Sequence, residues 1–134
     1  MGQLRTGGLA GLVQADMRWL PVRTASVDAV WCQAALLHLP REMVPAVLDE
    51  FARVVRADGW LFLGVAEGDG EGWEVAANYG SQRRRWFTYH REPELTRALA
   101  AAGFTVYETR RARVYRDWLS LDARRASVDS APCA

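Results

Sequence analysis

Cysteine and histidine are scarce in this sequence, and long apolar runs are missing from it. Among 134 residues there are two cysteines, Cys32 and Cys133. They lie far apart and support neither a disulfide framework nor a zinc motif. The two histidines, His38 and His90, lack compact companion ligands, so no metal site is expected. No apolar stretch approaches the roughly 18 residues that a membrane-spanning helix requires. The opening residues, MGQLRTGGLAGLVQAD, lack the apolar centre of a secretory signal, and the expected location is cytoplasmic. An excess of one charge is also missing. Seventeen basic residues face 16 acidic ones, for a net charge of +1, which removes any global case for a nucleic-acid partner.

What is present suffices for a core. Half of the residues are hydrophobic and a quarter are charged, which argues against a disordered chain. The length fits one small domain or part of a larger one. The pattern predicts a strand over 9–15 ending beside Asp16, then a strand over 28–33 that is apolar on both faces. A helix is expected over 41–57, with Pro45 in its first turn and Asp58-Gly59 as its stop. WLFLGVA at 60–66 is the strongest strand signal, and the glycine-rich segment 67–80 reads as a loop or lid. A helix over 92–102 capped by Gly103, strands over 104–109 and 114–122, and a frayed tail from 126 complete the reading. Alternating helices and strands argue for an open α/β sheet, whose ligands bind beyond the carboxyl ends of its parallel strands.

Several segments in order then carry a resemblance. These are ADMRWLP at 15–21, SVDAVWCQAALLHLP at 26–40, LDEFARVVRADGWLFLGVAEGDGEGWE at 48–74 and RRRWFTYHREPELTRALAAAGFTVYE at 83–108. Together they resemble the carboxyl-terminal portion of a class I S-adenosylmethionine-dependent methyltransferase of the methyltransferase type 11 group. The resemblance implies a partial Rossmann-like α/β sheet with a C-terminal antiparallel hairpin. The first two strands and the glycine-rich cofactor loop are expected to be missing. It also implies a partial methyltransferase domain over 1–125 with a disordered tail over 126–134. The implied activity is methyl transfer from S-adenosylmethionine to a small-molecule acceptor. The alternative is a noncatalytic α/β interaction domain or an inactive methyltransferase-derived fragment.

The resemblance assigns Asp16 to the adenine amine and Met17 to the adenine ring. From the residues alone, Asp16 equally well caps a turn before Pro21. Gln33 and Ala34 follow the second strand and would line the methionine end of the cofactor, or simply make a tight connection. His38, in LLHLP, is read as cofactor-pocket packing ahead of general-base chemistry. Glu67, Trp73, Tyr79 and Tyr89 are candidates for enclosing the acceptor, the aromatics from a lid. Cys32 is expected in the core and His90 in a structural role. No residue is assigned a catalytic step. Arg83, Arg84 and Arg85 form the one concentrated basic run, too short to support nucleic-acid binding. With two strands missing, the strand at 28–33 would be an exposed edge through which copies self-associate.

Overall fold

The computed structural model describes residues 16–75 and 84–127. The expected strand at 9–15, Tyr79 and most of the tail lie outside the described residues. In chain order the elements are β1 (Val27–Gln33), two 3-10 turns (Leu36–His38 and Arg41–Met43), α1 (Val44–Val54), β2 (Val55–Ala66), β3 (Glu71–Val75), β4 (Arg84–Thr88), α2 (Glu92–Ala102), β5 (Phe104–Val114) and β6 (Arg116–Arg125).

α1 forms because Val44, Val47, Leu48, Phe51, Ala52 and Val54 recur at three- and four-residue steps and are all buried. Pro45 sits in the first turn, where a missing N–H costs nothing. The helix is shorter than the sequence pattern suggests. Val55 is already extended, with ψ at 130°, and pairs with Val27 of β1. A β-branched Val-Val pair favours that change. Asp58-Gly59 therefore interrupts a strand instead of ending a helix. Between the Val27/Val55 and Ala29/Trp60 pairs β2 carries surplus residues, with Asp58 at φ 64°. A side chain at position 59 would meet the Asp28 carbonyl oxygen at 2.7 Å, so glycine is required there.

α2 places Glu92 and Glu94 in its first turn, where carboxylates favour the helix dipole. It ends at Gly103, whose φ of 100° suits glycine and whose N–H caps the last turn. The main sheet has the order β1-β2-β6-β5. β1 and β2 are parallel, while β6 runs antiparallel to both β2 and β5. β3, inside the 67–80 segment read as a loop, and β4, beyond it, make a separate two-stranded sheet.

Both helices pack on one face of the main sheet. Val47, Leu48 and Phe51 of α1, and Leu95 and Leu99 of α2, share a core with Leu61, Leu63, Val65, Leu119, Leu121 and Ala123. Burying one such large side chain is worth about 1.5–3 kcal/mol. Arg110, Arg111 and Arg113 continue β5 beyond the expected strand over 104–109. Arg110 pairs with Asp122 at 2.8 Å and Arg113 with Asp117 at 2.9 Å, so the hairpin runs on to a tip at Tyr115.

The expected partial sheet, its first two strands missing, is corrected here. A Rossmann-like sheet is formed with its first strands, β1 and β2, present and paired in parallel from Ala29–Gln33 against Trp60–Gly64. The expectation counted strands against a family's order. The two apolar strands instead satisfy each other's backbone groups and open the sheet themselves. No described helix is long and apolar enough to cross a membrane.

Leu48 is fully buried beneath the sheet. We expect Leu48→Ala to lose about 2–5 kcal/mol of stability, measured as a lower urea midpoint with an unchanged slope. A loss under about 1 kcal/mol would mean that α1 does not anchor the core.

Candidate functional site

The parallel pair β1–β2 sends both of its carboxyl ends to the same edge, and the chain beyond each end is tightly held. After Gln33, Ala34 takes a left-handed φ of 56° and donates its N–H to the Gly64 carbonyl at 3.0 Å. That bond extends the ladder one residue past β1 and turns the backbone into Leu36–His38. Leu36 and Leu37 are fully buried and pin the turn. The Gln33 amide lies over Gly64, where a Cβ would come within 2.5 Å of it. Cys32, just below, is buried; its thiol is pushed up to about 11 by desolvation and is inert as a nucleophile.

The hairpin β3–β4 covers this edge through backbone and side-chain bonds. His38 Nδ1 lies 2.9 Å from the Trp86 carbonyl oxygen. A carbonyl only accepts, so Nδ1 is the donor of this bond. The His38 ring meets Phe87 edge-on at 5.0 Å. Thr88 Oγ1 donates to the Leu39 carbonyl at 2.6 Å and accepts from Trp86 Nε1 at 2.9 Å. Trp73 stands perpendicular to Trp86 at 5.5 Å and is largely exposed.

Arg41 fastens the hairpin to the body. Its guanidinium donates to Glu94 at 2.7 Å, to the Tyr89 carbonyl at 2.7 Å and to the Gly70 carbonyl at 3.2 Å, and pairs with Glu71 at 3.3 Å. Five donors in a planar fork allow one side chain to do this. Beside it an open groove of about 580 Å³ is lined by Pro40, Arg41, Glu42, Glu71 and Trp86.

The acceptor-side candidates are held by partners. Glu67, at the end of β2, receives Arg111 Nε at 3.0 Å, and Arg111 also binds Glu92 at 2.6 Å. Tyr89 donates its hydroxyl to Glu74 at 2.6 Å and accepts from Arg116 at 3.0 Å. Burial, and then the Glu74 bond, raise the Tyr89 pKa. Trp73 lies on β3 and Tyr89 directly after β4, while Tyr79 lies outside the described residues.

Asp16 opens a turn. Its Oδ1 accepts the Arg18 backbone N–H at 2.8 Å, and Arg18's guanidinium reaches Oδ2 at 3.1 Å, holding the carboxyl below its usual range. The following loop is tied to α1, because Arg53 donates to the Leu20 carbonyl at 2.9 Å and to Glu50 at 2.6 Å. Met17 packs against the core cluster that includes Cys32 and Leu36. The structure thus gathers Ala34, His38, Trp73 and Tyr89 around the hairpin, keeps Gln33 over Gly64 of β2, and leaves Asp16 with Arg18. Sequence reading missed Arg41, Thr88 and Glu74. Their partners are 15 to 53 positions away, and only the alternation of Trp86 and Thr88 hinted at a strand.

A family model described as a methyltransferase domain matches residues 3–63. This corrects the expected resemblance to a carboxyl-terminal portion running to residue 108. The match falls in the N-terminal part of this chain, on the segment that supplies β1, α1 and most of β2. No curated protein matches. Among solved structures, 1,6-didemethyltoxoflavin-N1-methyltransferase from Burkholderia thailandensis, with bound 1,6-didemethyltoxoflavin and S-adenosylhomocysteine, is 25% identical. The alignment covers 86% of this chain and 50% of that one, with a TM-score of 0.67. A SAM-dependent methyltransferase from Methanosarcina mazei is 17% identical over 92% of this chain and 70% of that one, with a TM-score of 0.77. The [4+2]-cyclase SpnF is 16% identical over 84% of this chain and 56% of that one, with a TM-score of 0.63. The chain therefore spans half the length of the Burkholderia enzyme. It carries the fold of class I S-adenosylmethionine-dependent methyltransferases, a fold that also hosts a cyclase.

His90 follows the β3–β4 hairpin and is buried, and its Nε2 has no hydrogen-bond partner. Desolvation, and then the nearby Arg41 charge, depress its pKa from 6.5 to about 4. The folded protein keeps His90 neutral over a range in which the unfolded chain binds a proton. Stability is fully present above about pH 6.5, falls as the pH drops from there, and levels off below about pH 4. We expect a loss of up to about 3 kcal/mol across that window, read from urea midpoints. A His90→Gln variant should lack this slope; an equal slope in the variant would assign it to other groups.

Proposed function

We propose that the chain takes part in methyl transfer from S-adenosylmethionine to a small-molecule acceptor, in the cytoplasm. The observation that carries this reading is the edge built by β1 and β2, where Gln33–His38 turn away beneath the β3–β4 hairpin. The donor set suits the cofactor. Ala34, turned back by its bond to Gly64, adds only a methyl group at the strand end, which permits close approach. Asp16 offers a half-exposed carboxylate next to the thioether of Met17. When bound, S-adenosylmethionine supplies a methyl group on a positively charged sulfur.

In this reading Asp16 accepts a hydrogen bond from the adenine amine, and Met17 packs against the ring. Gln33 and Ala34 line the methionine end, and His38 closes the pocket between the strand end and β4. When the ring is neutral, its Nε2 lone pair is available to take a proton if the acceptor releases one. Trp73 and Tyr89 enclose the acceptor, and Glu67 fixes the lid through Arg111. A chain that aligns donor and acceptor in this way contributes mainly orientation and exclusion of water. The alternative, a noncatalytic interaction domain, is favoured by one observation: the sheet face opposite the helices is aromatic and uncovered among the described residues.

Calorimetry with S-adenosylhomocysteine tests the donor site. Asp16→Ala should weaken binding about tenfold or more, because an adenine amine loses its acceptor. Asp28→Ala, at an exposed position on β1, should change affinity less than twofold. Equal effects in folded variants would remove Asp16 from the site. No detectable heat with the unaltered chain would defeat the donor-binding reading.

A further inference from the structure

β6 begins where β1 and β2 end. Ala66 pairs with Trp118, and Glu67 donates its N–H to the Asp117 carbonyl at 2.9 Å. Arg116, the first residue of β6, therefore reaches the edge formed by the carboxyl ends of the parallel pair. Its guanidinium lies 4.2 Å above the Phe87 ring. Phe87 is fully buried with Leu37 and Ala66, and Ala34, Tyr89 and Trp118 pack on the same cluster. The His38 ring meets Phe87 as well, so one phenyl ring touches both the cation and the histidine.

Among the described ion pairs no arginine is as little exposed as this one. The Arg116 side chain is 16% exposed, where the others range from 31% to 69%. It is also the one whose hydrogen bonds reach no carboxylate. Nη1 donates to the Tyr89 hydroxyl at 3.0 Å, its one hydrogen bond among the described residues. Glu74 does not complete the set. Its Oε2 accepts from the Tyr89 hydroxyl at 2.6 Å, and its Oε1 stays 4.0 Å from Arg116 Nη1, beyond hydrogen-bond reach. Nε and Nη2 point to one side of the guanidinium and have no partner among the described residues. Elsewhere in this chain the same pair of nitrogens takes a carboxylate. Arg53 Nε and Nη2 donate to Glu50 at 2.6 and 2.9 Å, and Arg91 Nε and Nη2 to Asp69 at 2.9 and 2.7 Å. A largely buried guanidinium has lost most of its water, and it gains most from a planar anion that meets two donors at once.

We propose that Arg116 binds the carboxylate of a small aromatic acid, and that such acids are the acceptor class of the strand-end edge. The acceptor half of this statement rests on the reading that the edge brings donor and acceptor together. A carboxylate spans Nε and Nη2 as Glu50 and Asp69 do at the other two arginines. Its single charge balances the cation that Glu74 leaves incompletely paired. A phosphate monoester carries nearly twice that charge and would meet the Glu74 carboxylate at greater cost. The half-buried rings of Tyr89 and Trp118 flank the same cluster, and flat apolar walls suit a ring better than a flexible chain. Arg116 thereby fixes one end of the acceptor, and Phe87 sets that end against Ala34 and His38.

Benzoate is the probe, and benzamide is its uncharged counterpart. The full chain, isotopically labelled at arginine, is titrated while nuclear magnetic resonance follows the side-chain Nε–H signals. Benzoate should shift the Arg116 signal with a dissociation constant of about 1 mM, the scale expected of so small a ligand. The Arg41 and Arg111 signals, whose carboxylates are already in place, should not move. Benzamide should bind at least tenfold more weakly, and phenyl phosphate no more tightly than benzoate. Arg116→Gln should weaken benzoate tenfold or more, and Arg116→Lys, which keeps the charge and loses the fork, about fivefold. Arg56→Gln removes the same charge at an exposed position on β2 and should change the affinity less than twofold. An Arg116 signal unmoved at about 20 mM benzoate overturns the proposal. So do benzamide binding as well as benzoate, phenyl phosphate binding more tightly, or equal losses in Arg116→Gln and Arg56→Gln. The Arg116 signal is read in the unaltered protein, so a variant that fails to fold does not shield the proposal. S-adenosylhomocysteine is absent from the titration. Benzoate bound by a chain that takes no S-adenosylhomocysteine supports the carboxylate site and defeats only the donor reading; the reverse result defeats only the carboxylate site.

Discussion

The parallel pairing of β1 with β2 is the constraint on which the other features of the structure depend. Parallel strands need a crossover, and the segment from Ala34 to Val54 provides it, with α1 returning across one face of the sheet. The same pairing delivers both strand ends to one edge, which is why Gln33–His38 and Glu67 become neighbours of one hairpin. The ladder extends past β1 through the Ala34 N–H, so the left-handed turn that follows is fixed by a backbone bond and not by glycine. A positive φ at alanine carries strain of about 1 kcal/mol or more, and such strain gathers where backbone geometry serves a site.

Arginine holds the remaining pieces in place. All 17 basic residues of the chain are arginine; there is no lysine. The difference matters at Arg41, which bonds carboxylates of β3 and α2 and two loop carbonyls, and at Arg111, which joins Glu67 to Glu92. An ammonium group cannot span such sets with fixed geometry. Most of these pairs are partly exposed, and each contributes little to global stability. Their effect is local: they set the hairpin's position over the edge and neutralise carboxylates there, so the edge presents His38 and backbone groups rather than net negative charge.

Much of the frame was legible in the sequence because its signals are local. The apolar stripe of α1, the WLFLGVA run of β2, and Gly103 after α2 each follow from neighbours within a few residues. The hairpin β3–β4 was not legible. Its strands are five residues each, the first preceded by Gly70 and containing Gly72, and Trp73 meets Trp86 across the pair. Asp58-Gly59 misled for a related reason: the pair stops helices in general, but here Val27 captures Val55 first and leaves the glycine inside a strand irregularity. At the site, the strand-end position of Gln33–His38 could be read from pattern. So could the turn that Asp16 caps, which closes on Arg18 two residues away. The ion pair on Glu67 could not, because it depends on which of many arginines arrives from elsewhere in the fold.

The central claim is that the ligand-binding edge lies at the carboxyl ends of β1 and β2, beneath the hairpin and apart from the aromatic sheet face. Titration of isotopically labelled protein with S-adenosylhomocysteine, followed by nuclear magnetic resonance, tests it most directly. The expected result is movement of the backbone amides of Met17 and of Ala34 to His38, with the Trp60 indole and the Tyr107 amide unmoved. Shifts confined to Trp31, Trp60 and Tyr107 would contradict it, as would a spectrum unchanged at millimolar ligand.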